Sequence, residues 1–184
     1  MTETHKDVVL LSFVKSLKGQ GSWCGETHIQ KGTYFFQELM GVPLGFEFIL
    51  YKHGPYSFDL KEELTSQMAD SLLVVKPRPP YGPSILPGEN SEAILEQYPK
   101  TRERYQNQAN FVASRIGKMD VKELERLATA LYVSRKELPE GSSLTRAAKL
   151  NELKPHIPLD LAHQAILEVD RLIEEAKPVA VNAE

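Results

Sequence analysis

Hydrophobic periodicity in the first forty residues predicts two amphipathic helices. Apolar side chains recur at intervals of three and four over residues 7–18, and Gly19 stands where a left-handed helix cap is expected. The same spacing continues over residues 25–40. Gly32 lies inside this second helix, where a glycine costs about 1 kcal/mol relative to alanine. We therefore expect another helix to approach closely at Gly32.

The pattern then changes from the helical period to alternation. Apolar side chains alternate along residues 46–51, which predicts a strand, and Gly54-Pro55 is expected to end it because proline has no N–H for the ladder. Ser57 is placed to cap a helix over residues 57–70, whose apolar side chains recur every four residues. The stretch thus predicts a strand, a stop and a helix in succession.

Residues 72–88 predict a stiff hairpin. Residues 72–76 favour a β-strand, and residues 84–86 supply a short second arm. Five prolines fall within residues 76–88, which excludes a central strand or a helix there. Placed after two helices, a strand and a third helix, this hairpin would be the wing of a winged-helix-like module.

The chain beyond residue 88 carries an almost purely helical signal. The expected helices cover residues 99–116, 120–138, 144–153 and 159–177. Asp120 and Glu123 have the spacing of a capping box at the start of the second of these. Residues 178–184 are expected to form a flexible tail.

The predicted fold class is α+β, mainly α. A winged-helix-like module with a small antiparallel sheet is expected over residues 1–88, and a helical C-terminal part over residues 89–177 is expected to pack on it as one compact unit.

Composition narrows the class of protein. The 184 residues are 41% hydrophobic and 26% charged, which is ordinary for a globular chain, and the net charge of −3 gives no general attraction for nucleic acid. No apolar run approaches the roughly 18–20 residues of a spanning helix, and the N-terminus lacks a signal pattern. We therefore expect a cytoplasmic protein with no membrane partner. The single cysteine excludes an intramolecular disulfide, and no cofactor motif is present, so no cofactor is predicted.

The segment Tyr51-Lys52-His53-Gly54-Pro55-Tyr56 is the leading candidate for an interaction patch. Tyrosine and histidine offer contact area with polar ends, which suits recognition of a partner. The same tyrosines could instead pin the strand to the helix that follows, since amphipathic aromatic residues serve interfaces and cores alike. The sequence leaves both interpretations open.

Basic residues supply candidate contacts to nucleic acid. The candidates are Lys76 and Arg78 on the predicted hairpin and Lys100, Arg102, Arg104 and Arg115 on the helix predicted over residues 99–116. The helix over residues 57–70 stands where a winged helix reads DNA. Its acidic residues outnumber its single lysine, so we expect phosphates to repel it.

Cys24 and His28 are the candidate pair for an enzyme. A thiol nucleophile needs a base and an orienting group, and a zinc site needs three or four ligands. The chain has one cysteine, and local turn and cap structure accounts for both residues without chemistry. We expect no catalytic residue and no metal site, and an enzyme using Cys24 and His28 stays an alternative.

Two short motifs resemble those of a known family. Ile29-Gln30-Lys31 followed by Tyr34, and Gly54-Pro55-Tyr56-Ser57, are similar to the YwgA-like prokaryotic family and, more distantly, to the Panacea domain of SocA-like antitoxins. The resemblance spans about residues 7–76. It implies a winged-helix-like or largely helical fold without established catalytic residues, and for Panacea members a role in neutralising toxins.

Together these features predict a non-catalytic protein that binds another macromolecule in a regulatory or antitoxin-like setting. A protein partner is favoured over DNA, and a homodimer through the helices over residues 120–138 or 159–173 is a further expectation. The alternative is a DNA-binding winged-helix regulator that uses the wing and the basic helix.

Overall fold

The computed structural model describes residues 1–181, which form the predicted α+β, mainly α, fold. The helices are α1 (Glu3–Gly19), α2 (Glu26–Glu38), α3 (Phe58–Ala69), α4 (Ser91–Gln97), α5 (Pro99–Arg104), α6 (Gln106–Ile116), α7 (Val121–Tyr132), α8 (Ser143–Leu153) and α9 (Leu159–Ala176), with a π-helical turn (Val133–Glu137) after α7. The strands are β1 (Ile49–Tyr51), β2 (Gly54–Tyr56), β3 (Leu73–Arg78) and β4 (Tyr81–Pro87).

Helix α2 lies at the centre of the fold. Its residues 28–36 are all buried, and it contacts α1, α6, α7, β2 and β4. A helix buried on every side has no solvated face, so its polar side chains must find partners inside the protein. Gln30 and Lys31 are two such side chains, and both face the β1–β2 hairpin described below.

Gly32 lets α1 pack closely against α2. A Cβ built at Gly32 would lie 2.8 Å from Phe13 Cζ and 3.2 Å from Ile116 Cδ1. Phe13 also stacks on Phe36, with ring centroids 4.8 Å apart. The close approach predicted at this glycine is confirmed.

Gly32→Ala is expected to lower the free energy of unfolding by about 1–3 kcal/mol, because the added methyl group overpacks the α1–α2 contact. Gly19→Ala is the matched control, since a Cβ at Gly19 meets nothing within 4 Å. That change should leave stability unaltered or raise it slightly through helix propensity. Urea unfolding of both variants checks the pair, and equal effects would contradict the close packing.

The strands form two separate antiparallel hairpins. Strand β1 pairs with β2, with Leu50 opposite Pro55. The predicted strand over residues 46–51 is therefore wrong in extent, since only its last three residues pair. Gly54-Pro55 was also wrongly expected to end the ladder, because with Tyr56 it forms the return strand. Proline is tolerated there since β2 is an edge strand.

The second hairpin confirms the arms predicted around the proline-rich segment, and both arms are longer than expected. Strands β3 and β4 pair from Leu73–Pro87 to Arg78–Tyr81. The order of elements follows the prediction, whereas β1 pairs with its own return strand and not with this hairpin. The winged-helix description stays a prediction.

The helix predicted over residues 99–116 is wrong, because Tyr105 separates α5 from α6. Tyr105 has φ −119° and ψ 17°, outside helical geometry. Its side chain is buried, so packing and not local propensity sets the path of the chain here. Similarly, the helix predicted over residues 120–138 changes to a π-helical turn at Val133.

Helix caps are partly as predicted. The capping box is confirmed: Glu123 N–H donates to Asp120 Oδ1 at 2.8 Å, and Asp120 N–H donates to Glu123 Oε2 at 3.0 Å. The cap expected at Gly19 is wrong, because Gly19 is still helical and Gly21 takes the left-handed conformation with φ +87°.

Helices from the second half of the chain pack against the first. Helix α6 contacts α1 and α2, and α7 contacts α2 and β2. Of the predicted tail, Val181 N–H donates to Met40 O at 2.8 Å, and residues 182–184 lie outside the described residues. Within residues 1–181, no helix is long and apolar enough to cross a membrane.

Candidate interaction site

Three aromatic side chains cluster on the β1–β2 hairpin and the first residue of α3. Tyr51, Tyr56 and Phe58, here called the aromatic triad, have ring centroids 5.1 to 5.8 Å apart. Tyr51 is 53% exposed and Phe58 is 50% exposed, and the neighbouring Ile49 is 42% exposed. The triad is thus a contiguous apolar surface outside the core.

The Gln30 side chain holds the backbone between the hairpin and α3. Its Nε2 donates to Ser57 O at 2.9 Å, and its Oε1 accepts from Ser57 N–H at 3.0 Å. Both residues are fully buried. Ser57 Oγ accepts from Leu60 N–H at 3.2 Å, which confirms the predicted helix cap. Tyr56 and Phe58 flank this fixed peptide, so their positions are fixed with it.

Lys154, at the C-terminal end of α8, holds the tip of the same hairpin. Its Nζ donates to the carbonyl oxygens of Tyr51 and Lys52, each at 2.6 Å. Only 8% of the Lys154 side chain is exposed, so these bonds are shielded from water. The hairpin and the residue after it are therefore held by hydrogen bonds from α2 and from the end of α8.

Further contacts fix Tyr56 and the turn beside it. Tyr56 OH donates to Glu26 Oε1 at 3.0 Å, and burial, followed by this hydrogen bond, raises the pKa of Tyr56 to about 12. The Lys31 ammonium lies 5.8 Å from the centre of the Tyr56 ring. Gly54 has φ +87°, and a Cβ there would lie 3.1 Å from Thr129 Oγ1, so a glycine is required.

A buried carboxylate lies beneath the hairpin. Glu125 of α7 is 7% exposed, and its oxygens lie 3.4 Å from His156 Nε2, 3.7 Å from His53 Nδ1 and 4.0 Å from Lys154 Nζ. Burial lowers the pKa of Lys31 to about 8, while Glu125 acts in the opposite direction. Burial also lowers the pKa of Lys154, again opposed by Glu125. Glu125 is thus the counter-charge of two buried ammonium groups.

A cleft of about 650 Å³ opens beside Glu125. We call it the Glu125 cleft. It is lined by apolar side chains, Val121, Ile157, Pro158 and Leu161, and by polar ones, Lys52, His53, Lys122, Glu125, Arg126 and His156. Glu125 is the one acid among these lining residues. The arrangement suits a ligand with one apolar side and one anionic side.

The predicted patch is divided between surface and interior. Tyr51, Lys52 and His53 are exposed, whereas Gly54 and Pro55 are buried against the rest of the protein. Both interpretations of the segment thus have a structural counterpart, since its buried part anchors the hairpin and its exposed part forms surface. Recognition of a partner by this surface stays a prediction.

The hairpin candidates for nucleic-acid contact differ in their surroundings. Lys76 is exposed on β3. The Arg78 guanidinium stacks over aromatic rings, 4.0 Å from the ring centre of Trp23 and 4.9 Å from that of Tyr81. Arg78 therefore packs against these two rings, whether or not it also contacts nucleic acid.

The helical candidates lie on two elements and not on the single predicted face. Lys100, Arg102 and Arg104 are exposed on α5. Arg115 lies near the end of α6, where its Nη2 is 2.8 Å from Glu175 Oε2 of α9. The ion pair with Glu175 partly neutralises Arg115, so the expected basic face is divided. Binding of nucleic acid by these residues stays a prediction.

Cys24 and His28 have separate partners. Cys24 is fully buried, and burial raises the pKa of its thiol. His28 is also buried, with Nε2 2.9 Å from Met119 O, where an N–H on this nitrogen would donate to the carbonyl. No hydrogen bond joins the two side chains in the described part of the chain. Within residues 1–181, no group of three or more metal-binding side chains is close enough to hold a metal ion.

The residues that sequence reasoning missed are Gln30, Phe58, Glu125 and Lys154. Glu125 had a detectable signal, since it continues the apolar i, i+4, i+7 stripe of α7 through Val121 and Ala128. A charged residue in such a stripe indicates a buried charge that needs a partner. Gln30 lies in the Ile29-Gln30-Lys31 motif, but nothing in that motif indicates its hydrogen bonds to the Ser57 backbone.

Comparison with protein families and with curated proteins finds no match to the chain. The resemblance to the YwgA-like family and to the Panacea domain therefore stays a prediction. The function is inferred below from the geometry of the site.

Proposed function

We propose that this chain is a non-catalytic binding protein that docks a protein partner on the aromatic triad. One observation carries the proposal: Tyr51 and Phe58 are half exposed, while buried hydrogen bonds hold the backbone beneath them. Tyrosine and its aromatic neighbours are frequent centres of protein interfaces because they bury much surface while keeping a polar end.

The fixed backbone favours binding. Binding to a mobile hairpin loses free energy because the hairpin must become ordered. The backbone of the triad is already held by Gln30 and Lys154. The free-energy cost of ordering the hairpin on binding is therefore small. A regulatory or antitoxin-like role, in which one protein holds another inactive, is compatible with such a contact.

The charges on the cleft side of the triad favour acidic residues at the matching edge of a partner. Lys52, Lys122 and Arg126 line the Glu125 cleft beside the hairpin, so the approach to the triad is positive on that side. Complementary charge at the edge of an interface raises the association rate and helps to select the partner.

DNA is a weaker candidate for this site because α3 is acidic. Burial, and then Asp7, raise the pKa of Glu63 and so weaken its negative charge. Asp59 and Glu62 still outweigh Lys61 on this helix. Phosphates would be repelled from a groove contact by α3.

Affinity capture from the native host tests the proposal with two matched double variants. Tyr51→Ala with Phe58→Ala removes the exposed aromatic surface of the triad. Leu144→Ala with Leu167→Ala removes comparable apolar side chains, 67% and 50% exposed, from α8 and α9. We expect a specific protein to be captured by the wild type and by the leucine variant, and at least tenfold less by the triad variant. Equal capture by both variants would contradict the proposal.

A further inference from the structure

The outer edge of β1 offers backbone hydrogen-bonding groups that no other backbone segment of the described chain uses. Leu50 lies opposite Pro55 in the β1–β2 ladder, and proline has no N–H to donate. The ladder bonds are therefore made by the residue pairs on either side of this one. This arrangement points the N–H and the carbonyl group of Leu50 away from β2, and neither has a backbone partner within residues 1–181.

The open edge continues before β1. Phe48 stands two residues before Leu50, and its N–H and carbonyl group also have no backbone partner among the described residues. Backbone groups two residues apart in an extended chain point the same way. In the described part of the chain, β1 has extensive contact only with β2, and its Ile49 and Tyr51 are 42% and 53% exposed. A further strand therefore has donors, acceptors and apolar side chains to meet along this edge.

The exposed strand of the other hairpin is protected against pairing, whereas β1 is not. Proteins protect open strand edges with lysine, proline and β-bulges, because such an edge readily pairs with another strand. Strand β3 has all three, with Lys76, Pro77 and a shift of register between Lys76 and Arg78. Strand β1 consists of Ile49–Tyr51 and pairs in a regular register, without any of these features. The contrast favours an edge at β1 that is used for pairing.

We propose that the protein partner at the aromatic triad adds an extended segment to the outer edge of β1 as a third strand. The backbone of the segment bonds to Leu50 and Phe48, and its alternate side chains cover Ile49 and Tyr51. Because the added strand lies beside the triad, this proposal rests on the function proposed above and specifies the form in which the partner docks.

Charged residues at the two ends of the edge restrict the sequence of the segment. Glu47 is exposed before β1, and Lys52 is exposed after it. Opposite charges across an interface fix the register and help to exclude wrong partners. The segment therefore has apolar residues at alternate positions, a basic residue near Glu47 and an acidic residue near Lys52.

An extended segment of another protein fits the edge better than β1 of a second copy does. Antiparallel pairing of two copies about Leu50 would place Phe48 opposite Lys52 of the second copy. Lys52 lies in the β1–β2 turn, and its carbonyl oxygen already accepts a hydrogen bond from Lys154. A second copy can therefore pair only around Leu50, whereas a free segment can continue along the edge to Phe48.

Random decapeptides displayed on phage are the probe, and the full chain is the target. Peptides enriched on the wild type should carry apolar residues at alternate positions. Leu50→Pro removes the outward N–H and places a ring on the edge without removing a ladder bond, so it should weaken binding of a selected peptide at least tenfold. Leu50→Ala keeps the N–H and should bind within about threefold of the wild type. Equal binding by Leu50→Pro and Leu50→Ala would overturn the proposal.

N-methylated versions of a selected peptide test the pairing without any change to the protein. Methylation of one backbone nitrogen at a time should abolish binding at every second position and be tolerated between them, because only alternate N–H groups of an added strand face β1. The Leu50 amide should also exchange more slowly with solvent when the peptide is bound. Tolerance of methylation at every position, or an unprotected Leu50 amide, would contradict an added strand.

Capture from the native host separates this proposal from the function proposed above. Loss of the captured protein from both Leu50→Pro and the variant Tyr51→Ala with Phe58→Ala supports an added strand at the triad. Loss from the triad variant alone means that the triad docks a protein without strand addition, which overturns only the proposal made here. Capture of no protein by the wild type contradicts the proposed function itself.

Two further outcomes would overturn the added strand while leaving the proposed function to its own test. The first is that no decapeptide is enriched on the wild type. The second is a dimer in sedimentation experiments that Leu50→Pro dissociates and Leu50→Ala does not, since this result assigns the edge of β1 to a second copy of the chain. We expect enrichment of decapeptides, and the same sedimentation behaviour for both Leu50 variants as for the wild type.

Discussion

Replacing Gln30 with alanine is expected to lower the free energy of unfolding by about 2–4 kcal/mol, the largest effect we expect from a single polar side chain in the first half of the chain. The change deletes both hydrogen bonds to the Ser57 backbone. Because Ser57 is fully buried, no water replaces the lost amide, and one donor and one acceptor are left without partners. Urea unfolding measures the loss.

Gln37 offers a matched control on the same helix. Its Nε2 donates to Phe46 O and its Oε1 accepts from Phe46 N–H, both at 2.9 Å, which repeats the geometry of Gln30. Gln37 is partly exposed, so water can replace its amide, and Gln37→Ala should cost only about 1 kcal/mol. If the two variants lose the same stability, burial is not what makes the Gln30 contact strong.

Lys154→Met is expected to destabilise the protein by about 3 kcal/mol and to loosen the β1–β2 hairpin. Methionine keeps the length and the apolar stem of the side chain but cannot donate to the carbonyl oxygens of Tyr51 and Lys52. It also removes one of the cations that balance the buried Glu125 carboxylate. Breaking a buried charge pair from one side leaves the other charge uncompensated, which is costly.

Lys149 of α8 supplies the control for Lys154. Lys149 makes an exposed ion pair with Glu152, at 2.9 Å between Nζ and Oε1, so Lys149→Met should change stability little. Hydrogen exchange gives a second readout, because the hairpin amides should exchange faster in Lys154→Met and at an unchanged rate in Lys149→Met. Unchanged exchange at the hairpin in both variants would show that Lys154 does not hold it.

Periodicity predicted the helices well where one face is apolar and the other polar. Helix α7 is the clearest case, since its stripe and its Asp120–Glu123 capping box both appear as expected. The prediction failed at Tyr105, where a continuous helical pattern is broken because a buried aromatic ring redirects the chain. Local patterns do not contain the long-range packing that decides such a break.

The hairpins show a second limit of predicting structure from local sequence. In a central strand, Pro55 would leave a ladder hydrogen bond unmade and so end the strand. At the edge of a two-stranded hairpin its missing N–H disrupts no pairing. Whether a strand is central or at an edge depends on its neighbours, which the local sequence does not reveal. The same ambiguity explains why the strand predicted over residues 46–51 is longer than the observed β1.

Only part of the candidate site could be identified from the sequence. The segment from Tyr51 to Tyr56 was identified from its composition, but the residues that hold it come from α2 and from the end of α8. Lys154 lies about a hundred residues further along the chain, with no motif to connect it to the hairpin. Among these residues, Glu125 had a signal as a charge in an apolar stripe, and Gln30 had one only as part of the Ile29-Gln30-Lys31 motif.

Site-specific photo-crosslinking in the native host tests the central claim, that the aromatic triad is a docking surface for a protein, most directly. A photoreactive phenylalanine analogue would replace Phe58, and in a separate variant Leu144, which is 67% exposed on α8. We predict that the Phe58 position crosslinks to a defined protein and that the Leu144 position does not. The same pattern of crosslinks from both positions, or none from Phe58, would contradict the account.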